Sequence, residues 1–328
     1  MRKIIIHIGQ PKTGTTALQR ALIRNRRPLL RQGFLYPKPK FGNNHGVLTV
    51  PFARGVQRSM VGHLGKDYQQ ARQVGMDHWR AVAAEAARNP DTTLVLSSEF
   101  FFAAPDLGQL PGLIGELFGT EAQIEFVAYL RTPSEHFISL VQQKLKASHK
   151  LPPPGHGRLK RLKDLALIAP VHARKFARDT LTDGDIVADF CAYCGIDRTR
   201  FRRAAGEANI SICAEGMVLI QDYRRRHHAD ASNVFTKDTN RLLRAIAAEE
   251  AAHPGCYTRP RLRPEFAQWM DQDTPILTWL NRKYGVDLRK DHGVPADLMR
   301  DVAGVEDVTD LVAFDPDALA RLRSAVSL

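Results

Sequence analysis

Short apolar runs alternate with helical periodicity over the first half of the chain. Residues 3–9 are almost wholly apolar, with Ile4 to Ile6 in succession. A continuous apolar run suits a parallel strand covered on both faces. The stretch that follows, ALQRALIRNRRPLLRQG, has helical spacing, which predicts a helix from 15 to about 31, ending before Gly33. Residues 34–52 are rich in Pro and Gly with little periodicity, and predict a loop of a length that is usually functional. A helix is predicted over 67–88, then a turn at Asn89, Pro90 and Asp91, then a second buried strand, TTLVLSSE, over 92–99. Phe100 to Phe102 and a helix over 107–118 follow, and IEFVAYLR (124–131) is the third strand. TPSE (132–135) has the form of a capping box with proline at the first helical position, opening a helix to about Ser148.

Three strand–helix units within about 150 residues argue a doubly wound parallel sheet. Residues 150–163 read as a basic surface loop, and 170–178 as a fourth short strand. Helices are predicted near 184–194, 214–229, 236–252 and 276–284, and the last forty or so residues as a mixed tail. The expected fold is a P-loop-like three-layer α/β/α domain. Its central, mainly parallel sheet has four to five strands, with a helical C-terminal portion. The expected division is one domain over 1–285 and an extension over 286–328.

Composition adds the partner class. Of 328 residues, 47 are Lys or Arg and 35 Asp or Glu, a net charge of +12. That balance points to anionic partners, or to a solvated basic surface. No apolar run approaches the roughly 18 residues a membrane span needs, and the apolar part of MRKIIIHIG is too brief for a signal peptide. A cytoplasmic protein is expected, with peripheral membrane contact left open. Cys191 and Cys194 form a C-x-x-C within an amphipathic helical pattern and read as structural. No second pair completes a zinc site.

The chemistry gathers at the strand ends, where open parallel sheets bind ligands. The first strand runs into HIGQPKTGTT (7–16). Strand, glycine-bounded loop and helix are the parts of a phosphate cradle. Gly9 and Gly14 have the Walker A spacing, but Thr15 follows Gly14, and the lysine, Lys12, lies inside the loop. The second strand ends in Glu99 and the third in Arg131, with Ser139 eight residues beyond it. A guanidinium, a hydroxyl and a helix N-terminus make a second anion site. Two phosphate sites on one sheet suggest a ligand phosphorylated at both ends.

These residues resemble the family of sulfotransferases dependent on PAPS (3′-phosphoadenosine-5′-phosphosulfate). PKTGTT (11–16) resembles the family's 5′-phosphosulfate loop, and YLRTPSEHFISL (129–140) its 3′-phosphate motif. The clear part of the match covers 1–148. Fainter matches at DIVADF (185–190), NISICAE (209–215) and RPRLRPEF (259–266) extend it to about 285. The resemblance implies a bacterial-type enzyme closer to the glycan-sulfating branch than to the cytosolic one. It implies that Lys12 stabilises the leaving phosphate, that Thr13, Gly14, Thr15 and Thr16 bind the 5′-phosphate, and that Arg131 and Ser139 hold the 3′-phosphate. In the glycan-sulfating branch a glutamate after the second strand is the base. Glu99 matches it, although Phe100 stands where that branch usually has Lys. An ion pair with Lys12 or Arg131 is the alternative use of Glu99, and His45 is the rival base. The cytosolic branch's C-terminal nucleotide-closing motif is absent; Arg259, Arg261 and Arg263 are the nearest basic cluster, with Arg261 taken as a candidate contact to the nucleotide.

The implied activity is transfer of the sulfuryl group from PAPS to an acceptor hydroxyl or amine, of a carbohydrate or glycolipid, by in-line displacement. The product is 3′,5′-ADP and no metal is required. A P-loop kinase or NTPase would want lysine directly after Gly14 and an aspartate at a strand end for Mg²⁺. A non-catalytic binder of nucleic acid or anionic lipid rests on the charge alone, and no nucleic-acid motif is present. The expected partner is a small-molecule or glycan acceptor, not nucleic acid. Loop 34–66 and segment 150–163 are its expected lining. Their Lys38, Lys40, Lys160 and Lys163 suit an anionic glycan or lipid-linked sugar, or are simply solvated. Oligomeric state is left open.

Overall fold

The computed structural model describes residues 2–154, 158–202 and 211–326. Residues 155–157 of the predicted basic loop, and Asn209 and Ile210 of NISICAE, lie outside them. The chain clusters into two compact units. The first is Met1–Arg131, Gly157–Ala205 and Thr278–Asp287; the second is Thr132–His156, Gly206–Leu277 and Leu288–Leu328.

The first unit holds a five-stranded, all-parallel sheet. Its strands are β1 (Lys3–His7), β2 (Phe34–Leu35), β3 (Thr93–Ser97), β4 (Gln123–Leu130) and β5 (Val171–Lys175), in the order β2-β3-β1-β4-β5. The fold is α/β with helices on both sheet faces, as the continuous apolar strands predict. Ile5, Val95, Val127 and Tyr129 share one cluster with Leu18 and Leu22 of helix Thr15–Arg24 and with Ile186 and Phe190 of helix Ile186–Cys194. The alternate residues Ile4, Ile6, Leu94, Leu96 and Phe126 are fully buried as well.

β2 falls where the sequence predicts only loop. Two residues are too few for a periodicity, so the strand exists only because β3 offers a free edge. The helix predicted over 15–31 is broken at Asn25. The Asn25 side chain donates to the Ala21 carbonyl and accepts from the Arg202 amide, and a second helix starts at Arg26. The predicted 150–163 loop becomes helical at its end, in Arg161–Ile168, where Leu162 and Leu165 are buried.

A buried ion pair closes β5 onto helix Ile186–Cys194. Asp189, wholly buried, accepts from Arg174 Nε at 2.5 Å and Nη2 at 2.6 Å, from the Tyr129 hydroxyl at 2.8 Å and from the Thr182 amide at 3.1 Å. Each lone-pair direction is used, which is the condition for a buried charge to be tolerated.

The second unit is helical. The predicted tail is part of its core: Val308, Leu311, Leu319 and Leu322 join Met217, Ile220 and Leu242 in one cluster. Leu262 and Val312 form an antiparallel bridge. The capping box at 132–135 is not used. Thr132 makes no side-chain cap bond. Instead Asp271 accepts from the Ser134 amide at 2.8 Å and the Ser134 hydroxyl at 2.5 Å, while His292 Nε2 lies 2.8 Å from the same carboxylate. A remote carboxylate does for this helix start what the local sequence suggests Thr132 would do.

Candidate functional site

β1 and β4 are neighbours, and the chain leaves them in opposite directions across the sheet, to β2 and to β5. That makes the crevice at their carboxyl ends the topological switch point, where open α/β sheets bind ligands. Residues 9–16 follow β1 there, and Arg131 follows β4.

The loop is fixed from below. The Ile8 amide donates to the Val127 carbonyl and the Gln10 amide to the Tyr129 carbonyl. The Gln10 side chain accepts from the Arg131 amide at 2.9 Å. The Thr13 hydroxyl donates back to the Gln10 carbonyl at 2.6 Å. Three residues of the loop have positive φ: Gly9 at 37°, Lys12 at 73° and Gly14 at 75°. For glycine this is free; for lysine it is strained by about 1 kcal/mol or more. Left-handed turns alternating with ordinary ones aim successive N–H groups into one concavity, an anion nest. The helix beginning at Thr15 receives no side-chain cap from Gly14, so its dipole faces the loop. Glycine is also required at 14 by space, since a Cβ there would meet the Phe176 ring at 3.0 Å.

Arg131 stands across this loop. Its Nη1 donates to the Lys12 carbonyl at 3.4 Å, and its guanidinium lies 5.8 Å from the centre of the Phe176 ring. Phe176 thus packs against both halves of the site. It follows β5 directly, but the sequence reads 170–178 as strand and so does not mark Phe176 as a strand end. Gln10 and Gln19 have no signal either, because an amide carries no pattern of its own.

Glu99 is half-buried at the end of β3 and accepts from Gln19 Nε2 at 3.0 Å. Gln19 lies one turn beyond Thr15, so the carboxylate is tied to the cradle helix. Among the described residues Glu99 forms no ion pair with Lys12 or Arg131, and its carboxylate is held by a neutral amide. Beside it Phe100 packs on the cluster under loop 34–66, with Met60, Leu64 and Phe41. The expected acceptor loop therefore does sit on the segment that carries Glu99.

His45 is not placed as a base. Its ring is wholly buried, Nδ1 accepts from the Ser97 amide at 3.0 Å, and Nε2 faces the Pro37 carbonyl at 3.0 Å. Both nitrogens are engaged with backbone, so His45 fastens the loop to β3. His7 is a second buried histidine that the sequence does not single out. Its Nδ1 lies 2.8 Å from the Ser97 hydroxyl. Burial pushes both imidazoles down to about 3.

That shift sets an acid limit. An unfolded histidine takes up a proton below about pH 6.5, whereas these two remain neutral in the fold until about pH 3. Their contribution is therefore complete above pH 6.5 and is lost as pH falls toward 3, by about 1.4 kcal/mol per pH unit for each. The urea midpoint is expected to fall steadily from pH 6.5 to 4, and more gently in His45→Gln than in the parent at equal ionic strength. A midpoint flat from pH 7 to 4.5 would contradict the neutral assignment.

Ser139 and Arg261 belong to the second unit. Ser139 is half-buried on the second turn of helix Pro133–Leu145, and Arg261 is exposed. Arg263, by contrast, donates to the Thr309 carbonyl at 3.1 Å and serves the tail. Cys191 is buried, and burial raises both it and Cys194, as suits structural thiols. Among the described residues no group of three or more His, Cys, Asp or Glu is placed to hold a metal ion.

No family model matches the chain, and no curated protein does. Among solved structures it is similar to a chain from the PezAT chromosomal toxin–antitoxin system of Streptococcus pneumoniae, at 9% identity and a TM-score of 0.29, over 68% of this chain and 84% of that one. A likeness of that size carries no argument about function.

Proposed function

We propose that the chain is a PAPS-dependent sulfotransferase acting on a carbohydrate or glycolipid hydroxyl or amine. The observation that supports it most is a lysine held in left-handed backbone inside an uncapped, glycine-bounded nest, with an arginine braced against the same loop. A purely structural loop has no use for that strain. The loop also fits a polyanion, since residues 9–16 contain no carboxylate.

In this reading the nest, with Thr13, Gly14, Thr15 and Thr16, holds the 5′-phosphate. Arg131 holds the 3′-phosphate. When bound, PAPS supplies an activated sulfuryl group. Lys12 places its ammonium where charge develops on the leaving phosphate. Glu99, hydrogen-bonded by Gln19, takes the acceptor proton. Positioning and fixed charge then do most of the catalytic work, with no metal needed to neutralise the phosphates. 3′,5′-ADP leaves as product. Loop 34–66, packed on Phe100, lines the acceptor side. Among the described residues no helix is long and apolar enough to cross a membrane, and a cytoplasmic site of action accords with a soluble nucleotide donor.

Thermal shift tests the reading directly. Millimolar 3′,5′-ADP without Mg²⁺ is expected to raise the melting temperature, and ATP with Mg²⁺ to raise it less. No shift with 3′,5′-ADP, or a shift that needs ATP and Mg²⁺, would sink the proposal.

A further inference from the structure

One end of the helical unit presents apolar side chains to solvent on a loop that is firmly built. Phe235 is 58% exposed and Val234 40%, both between helices Ala214–His227 and Lys237–Ala252. Exposed phenylalanine on a frayed loop would mean little. Here the loop is pinned by Arg224, which is itself fully buried. Arg224 Nη2 donates to the carbonyls of Ala147 at 3.0 Å, Val234 at 3.2 Å and Ala231 at 3.3 Å, and Nη1 donates to the Thr239 hydroxyl at 3.1 Å. The Val234 amide donates to the Ala147 carbonyl at 2.9 Å. Asn233 takes left-handed backbone, φ 60°, at the turn before the two apolar residues. A buried guanidinium with this many carbonyls is an expensive anchor, and what it fixes is an outward-facing Val–Phe pair.

The charges around the pair have one dominant sign. Segments 144–150 and 222–241 carry eight Lys or Arg against three Asp. Lys144 reaches the Asn233 side chain at 2.5 Å, and Lys150, Arg226, Lys237 and Arg241 are exposed. Of the acids, Asp238 is engaged by His228 at 2.5 Å and by the Tyr223 hydroxyl at 2.8 Å, and Asp222 by Arg323 at 2.6 Å, leaving Asp230 at the tip. Arg225 pairs with Asp307 from the tail.

We propose that this end of the helical unit docks on an anionic lipid surface, with Val234 and Phe235 entering the headgroup–acyl boundary and the surrounding cations over the headgroups. Charge complementarity selects the occupant: apolar tips on segments rich in exposed lysine and arginine match a negatively charged leaflet. The docking does not depend on the reading of the phosphate cradle.

Cosedimentation of the full chain with vesicles tests it. The chain is expected to pellet with vesicles of phosphatidylcholine and phosphatidylglycerol and to stay in solution with phosphatidylcholine alone. Half-molar salt should release it. Phe235→Ser should weaken partitioning about tenfold, the factor for withdrawing much of one phenylalanine from an apolar phase. Arg226→Glu with Lys237→Glu should abolish it. All three positions are exposed, so melting temperatures should match the parent. Absence of pelleting with anionic vesicles overturns the proposal. So does equal pelleting with neutral ones, or a Phe235→Ser chain that partitions like the parent.

Discussion

Lys12→Ala is expected to lower turnover about 10²–10³-fold, the usual loss when one fixed donor to a developing negative charge is removed. The backbone of the nest persists in this variant, because alanine meets the same left-handed penalty at φ 73° as lysine does. Stabilisation by 3′,5′-ADP should therefore survive within a few-fold. Lys12→Gly sharpens the test. Glycine occupies that region without cost, so the variant is expected to be as inactive as Lys12→Ala, yet more stable than the parent by about 1 kcal/mol. A parent that gives up stability to keep an L side chain in this place is one whose lysine works there. Glu99→Gln belongs in the same assay. Gln19 can still donate to the substituted amide's oxygen, so structure is retained while the base is lost. Normal turnover in Lys12→Ala would remove the lysine from the chemistry. Normal turnover in Glu99→Gln would remove Glu99 as the base.

Arg131→Ala is expected to weaken 3′,5′-ADP binding about 10²-fold, with a much smaller effect on 5′-AMP. The first effect follows from losing a charge-assisted fork to phosphate, worth roughly 1.5–3 kcal/mol for a hydrogen bond to a charged group. The second follows from position: Arg131 closes β4 across the loop, and its own amide is held by Gln10 whatever its side chain. The variant also loses the bond to the Lys12 carbonyl and the contact with Phe176, so the loop should soften somewhat. Arg131→Lys separates the two terms, since it keeps the charge without the planar fork. Calorimetric titration of both nucleotides reads the difference. Equal discrimination between 3′,5′-ADP and 5′-AMP in Arg131→Ala and the parent would take the 3′-phosphate away from this arginine.

The strand ends were readable because a parallel strand buried on both faces needs an unbroken apolar run, and such a run announces its own last residue. Lys12, Glu99 and Arg131 follow from that rule. The loop conformation was half readable. Gly9 and Gly14 mark the turn, but nothing in the string says that Lys12 itself adopts left-handed backbone. His45 shows the limit from the other side. A histidine in a glycine- and asparagine-rich loop has the look of an accessible base, yet its ring is sealed between the Ser97 amide and the Pro37 carbonyl. Those partners lie 52 and 8 residues away, one of them on another element, and no spacing encodes them.

The sequence by itself determined the α/β class, the order of strand, loop and helix around HIGQPKTGTT, and the positive charge of the candidate cleft, because each is a property of local pattern or of summed composition. The tertiary structure alone decided which side chains are engaged with one another and which are turned outward. It gave Glu99 to Gln19, closed His45 into the core, set Phe176 against Arg131 and Gly14, replaced the cap expected of Thr132 with Asp271, and fixed Phe235 outward on Arg224. Each of these is a pairing across many residues of chain, made by a single hydrogen bond or ring contact, and short-range periodicity carries no record of such partners.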